Sequence, residues 1–530
     1  MPGSGFRDNL TYNFEVSKMY RLILLLPLLL TLGTGCAVNP VTGKSELSFI
    51  SEASEIAIGQ EQYLPSQQSQ GGLYRVDREL TRYVNEVGQR VAAVSDRQLP
   101  YEFVVLNNSV PNAWALPGGK IAVNRGLLLK LSSEAELAAV LGHEIVHAAA
   151  RHGAKSMERG AILQGAILAT AIGVSDSDYS NYIVGGAQLG AQLMTHRYGR
   201  SAELESDYYG IQYMVKAGYD PRAAISLQET FVKLSEGRES SWLEGLFASH
   251  PPSRERVDKN RETVAALAPR LTGDLETGKN RYQQKLAYLK RKNDSYNAFD
   301  KANTLASSAR LDSALKSLNS AIKGEPGEAR FYGLKGDIYL EKKQYREANI
   351  YYDKALGLDA DYYEYYLGRG LSLSKLGRSR AARQDLKKSN DLLPTAIAMN
   401  ELGELSLFDG DTKTAKNYFQ YAMGAGGETG QTAINQFTKL DLPDNPGKYL
   451  AVKPFMDHGR LVAIVGNRTQ LNISSFDVTY LVTVNGQTLQ RTITSGPIRA
   501  GQQLRVNSGF TFREEDNLEY IRATISRANI

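Results

Sequence analysis

Residues 135–152 read AELAAVLGHEIVHAAARH, and this stretch decides how the region around it folds. Ser133 followed by Glu136 is a capping box that starts a helix. The stretch then runs without proline and with a single glycine, Gly142. We therefore expect a helix that is apolar or small on most of its surface and carries three histidines.

The histidine spacing predicts a metal site on this helix. Residues four apart share a helix face, so His143 and His147 can direct two imidazoles at one ion. Glu144 lies about 100° further round and can reach a water on that ion without being a ligand. The alternative is a core helix whose polar residues have no common role, but burying two imidazoles and a carboxylate without a partner is costly. The spacing therefore favours a metal.

A catalytic metal site needs a third protein ligand, and the segment RSAELESDYYG at 200–210 supplies candidates. Glu203 and Asp207 share one helix face there. Glu203 is the expected third ligand, and Asp207 is the expected acceptor for a histidine N–H. The alternative from spacing alone is a solvated acidic helix start.

These motifs together resemble the minigluzincin zinc metallopeptidases, the family of the CAAX prenyl endopeptidases, of HtpX and of BepA-like periplasmic proteases. The segments NPVTGKSELSFIS, PNAWALPGGKIAVNRGLL and SHPPSRERV resemble family segments at matching places, so the resemblance covers residues 36–260. It implies an α+β zincin-type domain with one Zn²⁺ per chain on His143, His147 and Glu203. It also implies peptide-bond hydrolysis with Glu144 as the base. A prenyl endopeptidase is disfavoured because the sequence lacks the multiple membrane spans of those enzymes.

Three further residues are candidates for the site. Asn112 and Ala113 lie in a strand expected at the edge of the cleft, where extended substrate could pair by β-addition; a buried strand with a Pro-Gly-Gly turn explains them nearly as well. His250 lies in a loop stiffened by two prolines. If it faces the metal, it either donates to the oxyanion of the reaction or occupies the fourth coordination position and makes the enzyme latent. His152 and His196 are read as surface or outer residues.

The N-terminal region reads as a targeting segment. An apolar run of about 11 residues, shorter than the roughly 20 that span a bilayer, precedes small residues and Cys36. This resembles a bacterial lipoprotein signal with Cys36 as the lipidated residue; a plain secretory peptide is the alternative. The chain start is Met1 or Met19. The apolar segments after residue 160 and after residue 181 are read as core, or as a helical hairpin over the cleft.

A period of 34 residues marks the second half of the chain. Ala314, Ala348 and Ala382 follow that step, with glycines and aromatic residues at fixed offsets. This pattern resembles tetratricopeptide repeats, which stack into an α-solenoid that binds peptides; a helical bundle with coincidental spacing is the alternative. After residue 475 the pattern alternates, and Asn485-Gly486 predicts a type I′ hairpin in a β-sandwich.

The expected organisation is multidomain. The predicted segments are a signal peptide at 1–35, a lipid-proximal tether at 36–50, a metallopeptidase domain at 51–270, a linker helix at 271–294, repeats at 295–428, a linker at 429–454 and a β-sandwich at 455–530.

The composition limits the classes of partner. The formal charge is only +5 over 530 residues, which argues against nucleic-acid binding, and the single cysteine excludes an internal disulfide. The expectation is a periplasmic zinc endopeptidase tethered to the outer membrane. Its expected substrates are unfolded or outer-membrane proteins, and its repeats would contact the envelope assembly machinery. The alternative is a chaperone or assembly scaffold whose metal centre is mostly latent.

Overall fold

The computed structural model describes residues 35–160, 198–236, 249–271 and 273–530. The chain divides into two compact units. The first comprises the residues up to Ile338 together with Lys354–Tyr362, and the second comprises Tyr339–Asp353 and Tyr363–Ile530. The boundary between the units therefore falls within the repeats.

The first unit begins with a hairpin and a small mixed sheet. Its elements are β1 (Gly35–Val38), β2 (Ser45–Ser48), α1 (Glu52–Ser69), α2 (Arg78–Ala92), β3 (Glu102–Leu106), β4 (Ala113–Leu116), β5 (Lys120–Asn124) and α3 (Arg125–Leu128). Strand β5 lies between β3, which is parallel to it, and β4, which is antiparallel. Strand β4 therefore forms an edge of this sheet, as the sequence predicts. Residues 36–50, which are predicted to be a tether, contain most of the β1–β2 hairpin and the turn into α1.

Helices around one buried helix complete the metallopeptidase region. They are α4 (Glu134–Ala149), α5 (Arg200–Lys216), α6 (Arg222–Glu236) and α7 (Arg254–Leu267); residues 152–160 are also helical. Every residue of α4 is buried, as expected for a helix of alanine and aliphatic residues. Helices α2, α5 and α6 pack around it, which places the core of this region at the predicted chemistry.

Successive helices occupy the predicted linker helix, 271–294, and the predicted repeats, 295–428. They run as α8 (Lys279–Lys285), α9 (Ala287–Ser307), α10 (Leu311–Gly324), α11 (Ala329–Glu341), α12 (Tyr345–Leu358), α13 (Tyr363–Lys375), α14 (Ser379–Leu392), α15 (Ala396–Phe408) and α16 (Thr412–Ala422). The periodic alanines are fully buried. A Cβ on Gly403 would lie 2.6 Å from the ring of Phe419, so glycine is needed where α15 approaches α16.

The C-terminal region of the second unit contains two three-stranded antiparallel sheets. Helices α17 (Gly427–Asp441) and α18 (Pro446–Tyr449) precede β6 (Leu450–Asp457), β7 (Arg460–Asn467), β8 (Ser475–Val484), β9 (Gln487–Ser495), β10 (Gln503–Thr511) and β11 (Leu518–Asn529). The sheet orders are β10-β7-β6 and β11-β8-β9, and both sheets contribute to one apolar core. The finer prediction of a β-sandwich stays a prediction.

Two local features of this region compare directly with the sequence. Asn485 and Gly486 have φ values of 50° and 75°, as the predicted hairpin turn requires. The first strand of this region starts at Leu450, inside the predicted linker 429–454. Proline usually interrupts a strand, but Pro454 lies on β6, an edge strand, where a missing N–H is tolerated.

None of the helices in the described part of the chain combines the length and the apolar character that crossing a bilayer requires.

Candidate metal centre

The crossing of α4 and α5 brings the separate motifs together. The Ser133 hydroxyl accepts the N–H of Glu136 at 3.2 Å, and the Glu136 carboxylate accepts the N–H of Ser132 at 2.6 Å, so α4 is capped at its start. Further along, a Cβ on Gly142 would lie 3.0 Å from the carbonyl oxygen of Gly210 on α5. The two glycines let the helices approach closely, and the acidic face of α5 reaches the histidines of α4.

Four side chains converge at this crossing. One ligand atom from each of His143, His147, Glu203 and His250 lies within 4.8 Å of the others, and all four residues are buried. The Nε2 atoms of His143 and His147 are 3.0 Å apart, and Nδ1 of His250 is 3.1 Å from Oε1 of Glu203. Two imidazole nitrogens facing each other need a shared proton or a cation between them.

The donor set fits a divalent metal ion. Two histidines and a glutamate are the ligands of one common class of catalytic metal site, in which the fourth position is free for water. Here Nδ1 of His250 also points into the set, 3.3 Å from Nε2 of His143. The structure therefore brings together the three predicted ligands and the predicted loop histidine.

Asp207 and Arg256 support the donors from outside. Oδ1 of Asp207 accepts from Nδ1 of His143 at 2.9 Å, as predicted. Arg256 donates to both carboxylate oxygens of Asp207 at 2.7 Å, and its NH1 lies 2.8 Å from Oε2 of Glu203. Sequence reasoning missed Arg256. Its position could have indicated a role at the site, because Arg256 lies in the first turn of a helix whose N-cap, Ser253, is three residues after His250.

The electrostatics of the metal-free cluster reflect this pairing. Burial lowers the pKa of His143, but the carboxylates of Glu203 and Asp207 outweigh burial and raise that pKa to about 9. Burial dominates at His147 and places its pKa well below the ordinary value. Burial raises the pKa of Asp207, but the Arg256 guanidinium more than offsets this and lowers it overall. The cluster therefore holds a proton on His143 where a metal ion would supply positive charge.

Glu144 lies beside the donor set without belonging to it. Its Oε1 is 3.6 Å from Nε2 of His250, and its Oε2 is buried with no hydrogen-bond partner among the described residues. A cavity of about 40 Å³ next to it has largely apolar walls. These include Val140, Ile211, Met214, Leu227 and Phe231.

The other predicted site residues have mixed outcomes. Asn112 and Ala113 are both buried, and Ala113 lines the cavity. The backbone carbonyl oxygen of Asn112 accepts from the backbone N–H of Asn124 at 2.8 Å. The backbone of Cys36 lies in β1, and the predicted signal peptide before residue 35 lies outside the described residues. His196 and the apolar segments within 161–197 also lie outside them.

The fold and the donor set together define a metallopeptidase domain, with the His-Glu-x-x-His helix and the glutamate helix crossing beside a sheet edge. Residues 77–264 match the model of peptidase family M48, and residues 329–362 match a tetratricopeptide repeat. Residues 77–264 are thus similar to a family M48 metallopeptidase domain, and a match to a tetratricopeptide repeat follows them.

Curated relatives have the same kind of domain. The chain is 32% identical over 200 residues to a putative beta-barrel assembly-enhancing protease of Vibrio cholerae, covering 36% of this chain and 41% of that protein. It is 27% identical over 326 residues to the beta-barrel assembly-enhancing protease of Escherichia coli, covering 56% and 66%. The mitochondrial metalloendopeptidase OMA1 of Schizosaccharomyces pombe is 35% identical over 197 residues, covering 37% and 56%. The chain spans less than two thirds of each of these relatives.

Proposed function

We propose that this chain is a zinc endopeptidase of the bacterial periplasm, tethered to the outer membrane through Cys36, that hydrolyses misfolded or stalled envelope proteins. The observation that carries the proposal is the convergence of His143, His147 and Glu203 beside Glu144, whose Oε2 is buried with no hydrogen-bond partner among the described residues. Nitrogen and carboxylate donors in this combination favour zinc, one ion per chain.

His143, His147 and Glu203 would hold the metal, which when bound supplies a Lewis acid that acidifies water and polarises the scissile carbonyl. Glu144 takes a proton from the attacking water and delivers it to the leaving amine. Its buried position keeps bulk water from competing for that proton. Asp207 accepts a hydrogen bond from the Nδ1–H group of His143. This contact fixes the imidazole ring with Nε2 toward the donor set.

His250 sets the resting state of the site. Its Nδ1 atom points at the donors His143 and Glu203, which favours the role of a fourth ligand that must leave before hydrolysis. In the alternative role, the His250 ring would move away from the donor set and donate a hydrogen bond to the oxyanion of the reaction. Both roles place His250 in the catalytic machinery.

Substrate would lie along β4 as an added strand. Ala113 lines the cavity beside Glu144, so a peptide paired with this edge passes the catalytic carboxylate. Asn112 would contact the same peptide through its side chain. The apolar cavity walls would accept an aliphatic side chain next to the cleaved bond.

The repeats would recruit substrate or partner. Stacked helical repeats commonly bind extended peptides, and the relatives from Vibrio and Escherichia are named for enhancing beta-barrel assembly. Envelope assembly proteins are therefore the proposed partners. The second candidate function, a chaperone or scaffold with a mostly latent metal centre, is favoured by the same inward position of His250.

The test measures zinc content and casein cleavage by protein lacking residues 1–36. Glu144→Gln should retain one zinc and lose cleavage, whereas Glu203→Ala should lose both. Glu79→Gln, an exposed change on α2, is the matched control and should behave as wild type. Zinc binding without cleavage by the wild type would support the latent scaffold, and absence of zinc would refute the metal centre.

The cellular test separates the two candidate functions. In cells that lack the native gene, Glu144→Gln should fail to restore envelope integrity if the protein acts as a protease. Full complementation by Glu144→Gln would instead assign the function to the scaffold.

A further inference from the structure

The two histidines of α4 present the same ring atoms in the same directions. Each faces the donor set with Nε2, and each turns Nδ1 away from it. Nδ1 of His143 meets Oδ1 of Asp207, and Nδ1 of His147 meets Nδ1 of His152 at 2.9 Å. A neutral imidazole that uses Nε2 as a ligand carries its proton on Nδ1 and donates it. His152 must then accept that proton on its own Nδ1.

The polarity of the next contacts agrees with this assignment. With Nδ1 accepting, His152 carries its proton on Nε2, which lies 3.2 Å from Oε1 of Glu205. On the other side of this region, Nδ2 of Asn39 donates to Oε1 of Glu46 at 3.3 Å. The carbonyl oxygen of the Asn39 side chain already accepts from the N–H groups of Val41 and Thr42 at 2.9 and 3.2 Å, so its amino group is the donor. Each donor in the chain from His147 to Glu205 therefore meets an acceptor.

Asn39 and Glu46 belong to an N-terminal arm, defined here as residues 38–50. The arm is fastened to the helical segment 152–160. Glu158 accepts the backbone N–H groups of Phe49 and Ile50 at 2.7 and 2.9 Å, and Lys155 pairs with Glu46 at 2.6 Å. Glu158 is buried, so these contacts are shielded from solvent.

We propose that His152 and Glu205 form a hydrogen-bond relay that positions His147, and that docking of the N-terminal arm against segment 152–160 completes the metal centre. The proposal rests on the metal centre proposed above. The relay residues are positioning residues, since they act on the metal only through His147. The arm starts two residues after Cys36, so a tether at the predicted lipid anchor would act directly on the arm.

The first test compares zinc affinity among variants of the full-length protein, by competition with a chromophoric chelator. His152→Phe keeps a ring but removes both nitrogens, and it should weaken zinc binding by about 10–100-fold, as loss of a partner of a ligand histidine does. His152→Asn offers a carbonyl oxygen to Nδ1 of His147 and should restore most of the affinity. His458→Phe, at a side chain 97% exposed, is the matched control and should bind zinc as wild type.

The visible spectrum of the cobalt-substituted protein gives a second readout that a merely structural role would not move. His152→Phe should shift the cobalt bands, and His152→Asn should return them. Wild-type affinity and an unshifted spectrum in His152→Phe would overturn the relay. His147→Ala distinguishes the two levels: zinc affinity retained in that variant would refute the metal centre itself, whereas affinity lost there but retained in His152→Phe refutes only the relay.

The role of the arm is tested at its two ends. Asn39→Ala removes the side chain that bonds Glu46 and the N–H groups of Val41 and Thr42. The arm should loosen, and zinc binding should weaken about two- to tenfold. Glu158→Ala should release the arm and have a similar effect, whereas Glu158→Gln keeps an acceptor oxygen and should bind zinc nearly as wild type. Wild-type affinity in both alanine variants would show that the arm does not complete the site.

Discussion

Arg256 is the clearest place to test the charge balance of the site. Its guanidinium contacts Asp207 twice and Glu203 once, and all three side chains are no more than 7% exposed. Arg256→Met fills a similar volume but leaves two buried carboxylates facing only histidines. Removing one partner of a buried ion pair typically costs about 3–5 kcal/mol.

The size of this effect depends on the metal. Without metal, the loss should lower the unfolding temperature of the metallopeptidase domain by about 6–20 °C, at 2–4 °C per kcal/mol for a domain of this size. A bound divalent cation restores positive charge next to Glu203, so zinc should recover part of the loss. Arg256→Lys keeps the charge but not the paired contacts to Asp207, so its unfolding temperature should lie between those of the wild type and Arg256→Met.

The assay is thermal unfolding in chelator and in zinc, with hydrogen exchange of α4 peptides to assign the transition to this domain. Arg254→Met is the matched control, because Arg254 lies on the same helix with a side chain 82% exposed. It should unfold as wild type. If Arg256→Met in chelator also unfolds at the wild-type temperature, the charge balance described here is wrong.

Further predictions concern pH, His250 and the cavity. Because the folded pKa of His143 is raised from 6.5 to about 9, its stabilising contribution is complete below pH 6.5 and lost as pH rises through about 9; metal-free protein should lose stability over that window, measured by urea unfolding. Apparent zinc affinity should rise over the same window, because the proton competes with the metal. His250→Ala should increase casein cleavage if the ring blocks the fourth position, and a decrease would assign it to oxyanion donation. Phe231→Ala enlarges the cavity and should extend cleavage to sites flanked by aromatic residues, seen by mass spectrometry of the products; an unchanged cleavage pattern would remove the cavity from substrate recognition.

Local sequence patterns predicted structure well where all the residues of the pattern lie in one helix or one turn. The spacing of His143 and His147 needs only the geometry of a helix, and the turn at Asn485-Gly486 needs only two residues with positive φ. The 34-residue period predicted the repeats for the same reason, since each repeat packs mainly on its neighbours. The predicted linker 429–454 includes the start of β6 at Leu450. Pro454 is acceptable in a strand only at a sheet edge, and edge position is a property of the whole sheet.

What the sequence by itself determined is the inventory of the candidate metal centre: two histidines on one helix face, a glutamate between them, and an acidic helix to complete the set. Only the tertiary structure decided which outer groups touch those ligands. Arg256 against Asp207 and Glu203, His152 against His147, and the N-terminal arm against residues 152–160 are contacts between segments far apart in the chain or across a helix end. Such contacts depend on how helices cross, here at Gly142 and Gly210, and no periodicity within a single segment encodes that crossing.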